Sequence, residues 1–291
     1  MDFRNGLELL DVCKKENLPI SKVMKLREIT CGSLTTEEVD SKLKVVLDIM
    51  KHAAKDPLEK PVRSIGGLIG GEARKISDFG QTPNSICGSL LSKASAYSMG
   101  VLETNASMGL IVAAPTAGSS GVVPGVLIAL QEEKGLSDDT LCQGLLTAAA
   151  VGYILMRNAS VSGAEAGCQA EVGAASAMAA AAAVEMFGGT PDMCLQAASI
   201  ALSNLLGLAC DPIAGLVECP CQSRNAIGAA NSITCAELAL AGVKNPVPFD
   251  EMADAMYKVG TSLPMELRET ALGGCAGTPT GCALGCAICG K

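Results

Sequence analysis

The sequence predicts an all-α protein, a single helical domain over residues 1–291 whose loops are rich in glycine and cysteine. Hydrophobic residues make up 49% of the chain and aromatic residues only 2%, with no tryptophan. Small aliphatic side chains must therefore form the core. They let backbones approach closely, which suits packed helices better than a β-sandwich. Apolar residues recur at helical spacing in many segments, whereas the alternating pattern of strands is scarce.

The N-terminal third contains one well-marked helix start. Thr35 is followed three residues later by Glu38, which is the spacing of a capping box. The helix is expected to end at Asp56-Pro57, because the residue before a proline disfavours helical backbone. Two further predictions flank it: a helix within residues 2–18 and a glycine-rich loop around a short element over residues 61–82.

The middle of the chain alternates helical runs with irregular segments. Ser137 can cap a helix that continues to about Asn158. The irregular residues 105–125 separate this part from the preceding helix. Further helices are predicted over residues 84–103, 122–131, 225–241 and 249–259.

An alanine-rich segment, Val172–Phe187, is predicted to be a helix from the high helical propensity of alanine. Two glycines stop it, and Thr190-Pro191 begins the next helix with proline in the first turn. That helix is expected to run towards Cys210. The last residues, 273–291, are predicted to be a Gly/Cys-rich C-terminal tail.

The composition excludes several classes of partner. The formal charge is -8 and no basic cluster occurs, which argues against nucleic acid and anionic membranes. The N-terminus opens no apolar run that would make a secretory signal. The longest apolar tract is shorter than the roughly 20 residues that a spanning helix needs. We therefore expect a soluble, cytoplasmic protein, in which 14 cysteines favour metal binding or redox chemistry over disulfides.

Three cysteines stand where helices meet loops: Cys168, Cys210 and Cys221. Cysteines in such an alanine-rich protein are most often small buried apolar residues. However, Cys168 and Cys221 each precede a helical run, where the helix dipole favours a thiolate. Cys210 is expected at the end of a helix, fixed by the Asp211-Pro212 turn. Thiolates are the usual ligands of iron–sulfur clusters, so we interpret the three as a cluster site.

At this point the sequence resembles the iron–sulfur L-serine dehydratases, and specifically the alpha subunit of the two-chain form. Four segments carry the resemblance, and they follow one another in the order found in the family. They are Ala114–Gly125, Gly163–Gly173, Cys210–Ala229 and Arg268–Gly281.

The resemblance implies an all-α catalytic chain that dehydrates and deaminates L-serine to pyruvate and ammonia, in amino-acid catabolism that feeds gluconeogenesis. It implies a 4Fe-4S cluster held by Cys168, Cys210 and Cys221, with one iron open to the substrate hydroxyl as a Lewis acid. No pyridoxal phosphate is required. Cys219 is expected to be a bystander. Near the C-terminus, Cys289 is expected to reach the open iron when substrate is absent, with Cys286 as the second choice.

The segment Thr116–Gly121 precedes a helical run and is a candidate cradle for the substrate carboxylate. Its hydroxyls and backbone N–H groups can converge on an anion, or they can simply cap the helix. The motif alone leaves these two interpretations equal, and the resemblance favours substrate binding by Thr116, Ser119 and Ser120.

Other polar residues stand in apolar surroundings. Asn158 is one candidate for substrate binding, and Arg224 is another, which either pairs with the substrate carboxylate or caps a loop. Glu165 and Glu171 flank Cys168, and one of them is expected to accept the substrate ammonium. The alternative for both is a favourable interaction with the start of an alanine-rich helix.

No residue of this chain is predicted to be the catalytic base. The only histidine, His52, is expected to be solvated on an amphipathic helix. We therefore expect a partner, the beta subunit of the two-chain form, to complete the active site. Three alternatives remain open: a related lyase acting on L-cysteine, an iron–sulfur electron-transfer or sensor protein, and a zinc-stabilised structural protein.

Overall fold

A computed structural model describes residues 2–290, and it confirms the all-α prediction. In that part of the chain there is no strand, and the one β-bridge joins Cys210 to Arg268. The α-helices are α1 Gly6–Glu16, α2 Ile20–Cys31, α3 Thr36–Glu59, α4 Glu72–Gly80, α5 Gly88–Ala106, α6 Val122–Lys134, α7 Asp138–Asn158, α8 Gly163–Ala166, α9 Ala174–Met186, α10 Pro191–Asn204, α11 Cys221–Leu240, α12 Phe249–Ser262 and α13 Pro279–Cys289. Short 3₁₀ turns lie at Ala117–Ser119, Ile213–Gly215 and Met265–Leu267, and a π-helical turn lies at Gln169–Gly173.

The helix starts lie where their caps predict. The Thr35 hydroxyl accepts a hydrogen bond from the Glu38 N–H at 3.2 Å, and the Glu38 carboxylate accepts one from the Thr35 N–H at 2.7 Å. Ser137 caps α7 in the same way through the N–H of Thr140. Thr190 caps α10, which has proline in its first turn. Each cap satisfies a backbone donor that a helix leaves free at its N-terminus.

The predicted end of α3 at Pro57 is wrong, because the helix continues past this residue. Pro57 has no N–H to donate to the carbonyl of Ala53. Thr104 on α5 supplies the missing donor, with its hydroxyl 2.8 Å from that oxygen. Gly100 on α5 permits the close approach, since a Cβ there would lie 2.4 Å from the carbonyl oxygen of Ala54.

Helix α9 lies at the centre of the fold. Residues 174–184 are all buried, and the helix packs against α6, α7, α10 and α11. Because most of these residues are alanine, the neighbouring helices approach closely. On α7, a Cβ added to Gly152 would lie 2.9 Å from the Met178 side chain. The core thus depends on small residues at helix crossings, as the near absence of aromatic residues predicts.

Helix α7 is also the one described helix that is long and apolar enough to cross a membrane. In this fold, 61% of its most apolar stretch is buried, and it packs against α2 and α9.

The C-terminal segment is more ordered than the predicted Gly/Cys-rich tail. Residues 279–289 form α13, whose start is capped by the Thr278 hydroxyl, which accepts from the Gly281 N–H at 3.0 Å. The helix packs on the 3₁₀ turn Ile213–Gly215. In the sequence, this turn lies between Cys210 and Cys221, two of the candidate cluster ligands. Cys282, Cys286 and Cys289 are exposed along it.

Candidate functional site

Cys168 is held in a tight turn between α8 and the π-helical turn. Gly167, which precedes it, has φ +76°, a conformation that glycine adopts without strain. Gln169, which follows it, anchors the turn on three sides. Its backbone N–H donates to Leu208 O at 3.0 Å, its side-chain amide donates to Met256 O at 2.8 Å, and its side-chain oxygen accepts from Gly207 N at 2.8 Å. The thiol of Cys168 is buried.

Cys210 does not lie at the end of a helix, as the sequence suggested. Helix α10 ends at Asn204, and Cys210 follows in an extended segment. That segment pairs with a distant part of the chain. The Cys210 N–H donates to Leu267 O at 2.8 Å, and the Glu269 N–H donates to Cys210 O at 2.7 Å. The position of Cys210 is therefore set by long-range backbone contacts.

Cys221 is the first residue of α11. This position agrees with the prediction that a helical run follows it. The Asn225 side-chain amide donates to the carbonyl oxygen of Cys221 at 2.9 Å. The same side chain bonds the candidate cradle, donating to Gly118 O at 2.8 Å and accepting from Gly121 N at 3.0 Å. A single buried asparagine thus fixes the spacing between Cys221 and the cradle.

The three thiols are free of disulfide bonds, and they are close enough to influence one another's pKa. Burial raises the pKa of Cys168 to about 12, and the neighbouring Glu171 carboxylate adds to that effect. Burial also raises the pKa of Cys210 and of Cys221, and in each case the proximity of Cys168 contributes. Three buried thiols this close to a carboxylate are costly to ionise unless a cation joins them.

Within residues 2–290, no three His, Cys, Asp or Glu side chains are grouped as one metal ion would require. Cys168, Cys210 and Cys221 are free of disulfide bonds, and cysteine thiolates are the ligands that iron–sulfur clusters take.

Glu171 links the cysteine cluster to the cradle. Its carboxylate accepts from the Thr116 hydroxyl at 2.6 Å and lies 3.7 Å from the Sγ of Cys210. The Thr116 hydroxyl is in turn 3.2 Å from that of Ser119. Burial raises the pKa of Glu171, and the hydrogen bond from Thr116 opposes this shift. A continuous polar path therefore runs from the cradle to Cys210.

Arg224 lies beside the cysteines but is already engaged. Its guanidinium is 2.6 Å from the Asp211 carboxylate and donates to Ala209 O at 2.8 Å. The other carboxylate oxygen of Asp211 accepts from the backbone N–H of Cys275 at 2.6 Å. Arg224 thus joins α11, the segment around Cys210 and the start of the C-terminal segment.

The remaining predicted site residues are placed as follows. Ser120 is buried and donates to Ala117 O at 2.7 Å, within the cradle turn. Asn158 is exposed at the end of α7 and donates to Arg4 O at 2.7 Å. The exposed Glu165 accepts from the Ser160 hydroxyl at 2.6 Å. Cys289 is exposed on the last turn of α13, and its capping role stays a prediction.

Two observations concern His52 and the two glutamates that flank Cys168. His52 is exposed on α3, next to Asp56, in accord with the solvated position predicted for it. Of the two glutamates that flank Cys168, it is Glu171 that faces Cys210. Its sequence signal is the three-residue spacing from Cys168, which places both side chains on one side of a helical turn.

Known proteins similar to this chain include L-serine dehydratases and their alpha chains. Residues 15–276 match the family described as Serine dehydratase alpha chain. The chain is 47% identical over 279 residues to the "Probable L-serine dehydratase, alpha chain" of Bacillus subtilis (strain 168), covering 96% of this chain and 93% of that one. It is 47% identical over 274 residues to the "L-serine dehydratase, alpha chain" of Peptoniphilus asaccharolyticus, covering 94% of both. The "L-serine dehydratase" of Mycobacterium tuberculosis (strain CDC 1551 / Oshkosh) is 39% identical over 284 residues, which cover 95% of this chain and 61% of that one.

Proposed function

Because this chain belongs to the family of serine dehydratase alpha chains, we propose that it is the catalytic chain of an enzyme that converts L-serine to pyruvate and ammonia. The observation that carries the proposal is the placement of Cys168, Cys210 and Cys221 beside one another and beside the Thr116–Glu171 pair. This site joins three buried thiols to polar side chains suited to a small zwitterion.

Of the residues at this site, only the three cysteines would be ligands of a 4Fe-4S cluster. When bound, such a cluster supplies a Lewis-acidic iron for the hydroxyl of serine. The carbonyl function of pyridoxal phosphate is not needed for this chemistry. The donor set, the absence of disulfides among these cysteines and their burial support this assignment.

The chain's own residues would bind and orient the substrate. Glu171 is a half-buried carboxylate, and no Lys or Arg is among the groups that shift its pKa. It is therefore suited to a substrate ammonium. The hydroxyls of Thr116 and Ser119 and the backbone N–H groups that follow them would orient the substrate carboxylate. Arg224 would act on the site indirectly, since Asp211 already neutralises its charge.

A second chain would complete the enzyme and contribute the catalytic base. Three observations support this partner, the beta subunit. The name "alpha chain" recurs among the relatives. The relative from Mycobacterium tuberculosis has 39% of its length (100 − 61) outside the match. An apolar groove of about 360 Å³, lined by Val112, Ala113, Pro115, Met156 and others, lies next to the cradle, and Met156 is 62% exposed. We place the complex in the cytoplasm, with no nucleic-acid or membrane partner.

The test is anaerobic reconstitution with iron and sulfide, followed by an assay for pyruvate from L-serine. Cys168→Ala, Cys210→Ala and Cys221→Ala should each lose the brown absorbance of the cluster and the activity. Cys219→Ala should keep both. Cys235→Ala is the matched control, because it removes another buried thiol from the same helix as Cys221.

The assay is run with and without a co-expressed beta subunit. Turnover is expected only with the second chain, and full turnover by this chain alone would contradict the proposed partner. Loss of absorbance in Cys219→Ala but not in Cys221→Ala would overturn the ligand assignment. Release of sulfide from L-cysteine in preference to pyruvate from L-serine would move the proposal to the related cysteine lyase.

A further inference from the structure

The glycine-rich segment near the N-terminus meets the loop that precedes Cys221. We call residues 64–71 the glycine loop. Glu218, three residues before Cys221, is only 2% exposed, and its carboxylate points into this loop. The two segments are about 150 residues apart in sequence. Nevertheless, the three hydrogen bonds that this carboxylate accepts all come from the glycine loop.

Three donors of the glycine loop converge on the Glu218 carboxylate. One oxygen accepts from the Ser64 hydroxyl at 2.6 Å and from the Leu68 N–H at 2.9 Å. The other accepts from the Gly66 N–H at 2.7 Å. Hydrogen bonds to a carboxylate are roughly twice as strong as those between neutral groups. No side chain of Lys or Arg makes an ion pair with Glu218 in the described part of the chain, so the loop itself solvates this charge.

The shape of the loop is specific to this contact. A Cβ added to Gly66 would lie 2.7 Å from the Glu218 carboxylate and 2.4 Å from the Leu216 side chain. Ser64 closes the loop internally, since its oxygen accepts from the Gly67 N–H at 3.1 Å and from the Ile69 N–H at 3.3 Å. The glycines therefore allow the backbone to wrap around a carboxylate that comes from elsewhere.

Glu218 also connects directly to the helix that begins with Cys221. Its carbonyl oxygen accepts from the Gln222 N–H at 2.9 Å, in the first turn of that helix. The Gln222 side chain donates to Glu103 at 2.9 Å, and Glu103 accepts from the Ala73 N–H just beyond the glycine loop. The first turn of the helix that begins with Cys221 is thus hydrogen-bonded to two buried glutamates, Glu218 and Glu103. Both of their carboxylates accept hydrogen bonds from residues 64–73.

We infer that Glu218 is a positioning residue for Cys221. The hydrogen bonds from the glycine loop fix Glu218, and Glu218 in turn holds Cys221 in place for the cluster. This inference rests on the proposed function, because it assigns Cys221 as a ligand. Glu218 itself would not touch the substrate or the cluster. Its contribution is to fix the backbone from which the thiolate of Cys221 projects, as residues that support metal ligands do elsewhere.

The test compares Glu218→Gln with Ser64→Ala and with the control Glu185→Gln. Glutamine keeps the size of Glu218 but turns an NH₂ group towards backbone or hydroxyl donors. Ser64→Ala removes one of the three donors and leaves the carboxylate intact. Glu185 also accepts from a backbone N–H, that of Ser21, but in a different part of the fold.

Two measurements are made on each variant. In the metal-free protein, limited proteolysis reports the order of the glycine loop. In the reconstituted protein, the decay of cluster absorbance in air and the electron paramagnetic resonance spectrum of the reduced cluster report the position of Cys221. We expect Glu218→Gln to lose its cluster about tenfold faster than the unsubstituted protein, with a changed spectrum and cleavage at the loop. Ser64→Ala should show a smaller effect in the same direction, and Glu185→Gln none.

The outcomes separate this inference from the proposed function. If the unsubstituted protein binds no cluster, the proposed function fails, and the proteolysis still reports the Glu218 contact. If that protein binds a cluster but Glu218→Gln decays at the same rate with the same spectrum, the inference is overturned. It is also overturned if Glu185→Gln changes both readouts as much. If Glu218→Gln does not fold, Ser64→Ala decides by the same criteria.

Discussion

The ion pair between Asp211 and Arg224 allows a quantitative prediction. In Asp211→Asn the guanidinium of Arg224 loses its counter-charge in a largely enclosed place, since the two side chains are 5% and 18% exposed. Removing one partner of a buried pair costs about 3–5 kcal/mol. The partial exposure of Arg224 places the expected loss at the lower end, about 3 kcal/mol in the free energy of unfolding.

This loss converts to a shift in melting temperature. With an unfolding entropy of about 2.1 cal/mol/K per residue, a chain of 291 residues has about 0.6 kcal/mol/K in total. A loss of 3 kcal/mol therefore lowers the melting temperature by about 5 °C. Far-ultraviolet circular dichroism of the metal-free protein suits the measurement, because the described chain is helical.

A double-mutant cycle with Arg224→Met tests whether the pair is the cause. Once both charges are removed, no unpaired charge remains buried. The double variant should therefore lose about as much stability as either single variant, which corresponds to a coupling energy of about 3 kcal/mol. Losses that add to within about 0.5 kcal/mol would refute the reasoning, since independent sites behave in that way.

Two further predictions concern stability away from the site. Thr104→Val removes the donor to the Ala53 carbonyl and should cost about 1–3 kcal/mol in urea unfolding, because a buried acceptor is left unpaired; an unchanged midpoint would contradict this. Burial tends to raise the pKa of Glu132, but the hydrogen bonds from Lys55 and Tyr97 outweigh it and hold the pKa below its usual value. A lowered carboxyl pKa stabilises the fold at every pH above the pKa of the unfolded chain, so Glu132→Gln should be less stable than the unsubstituted protein near neutral pH. The difference should stay constant down to about pH 4.3, the ordinary pKa of glutamate, and should shrink as the pH falls further, through the lowered pKa of the folded protein. A difference that stays constant far below that pH would contradict the assignment.

The helix starts are predictable from the sequence because their caps are local. Ser137 and Thr35 bond N–H groups three residues ahead, so the pattern that specifies the helix and the atoms that satisfy it lie together. The end of α3 is not predictable in this way. The donor that compensates Pro57 is Thr104, which lies 47 residues later (104 − 57), and no local pattern reveals it.

In the candidate site, too, the local features are predictable from the sequence and the long-range contacts are not. The motifs point to Cys168, Cys210 and Cys221 and the cradle as candidates, because residue types and their order are visible in the sequence. The supports are not visible. Cys210 depends on backbone partners near residue 267, and Glu218 reaches donors about 150 residues away. Pairings of this kind arise only when the helices have packed.

The bridge that holds Cys210 has a consequence for how the protein is made. Its partners, Leu267 and Glu269, are synthesised at least 57 residues after Cys210 (267 − 210). A chain emerging from the ribosome folds from its N-terminus, at about 5–20 residues per second. Helices α3 to α9 can therefore pack while Cys210 still lacks its backbone partners. Cys210 takes its final position only after nearly the whole chain has left the ribosome, so under the proposed function the insertion of iron and sulfide would follow the folding of the helical core.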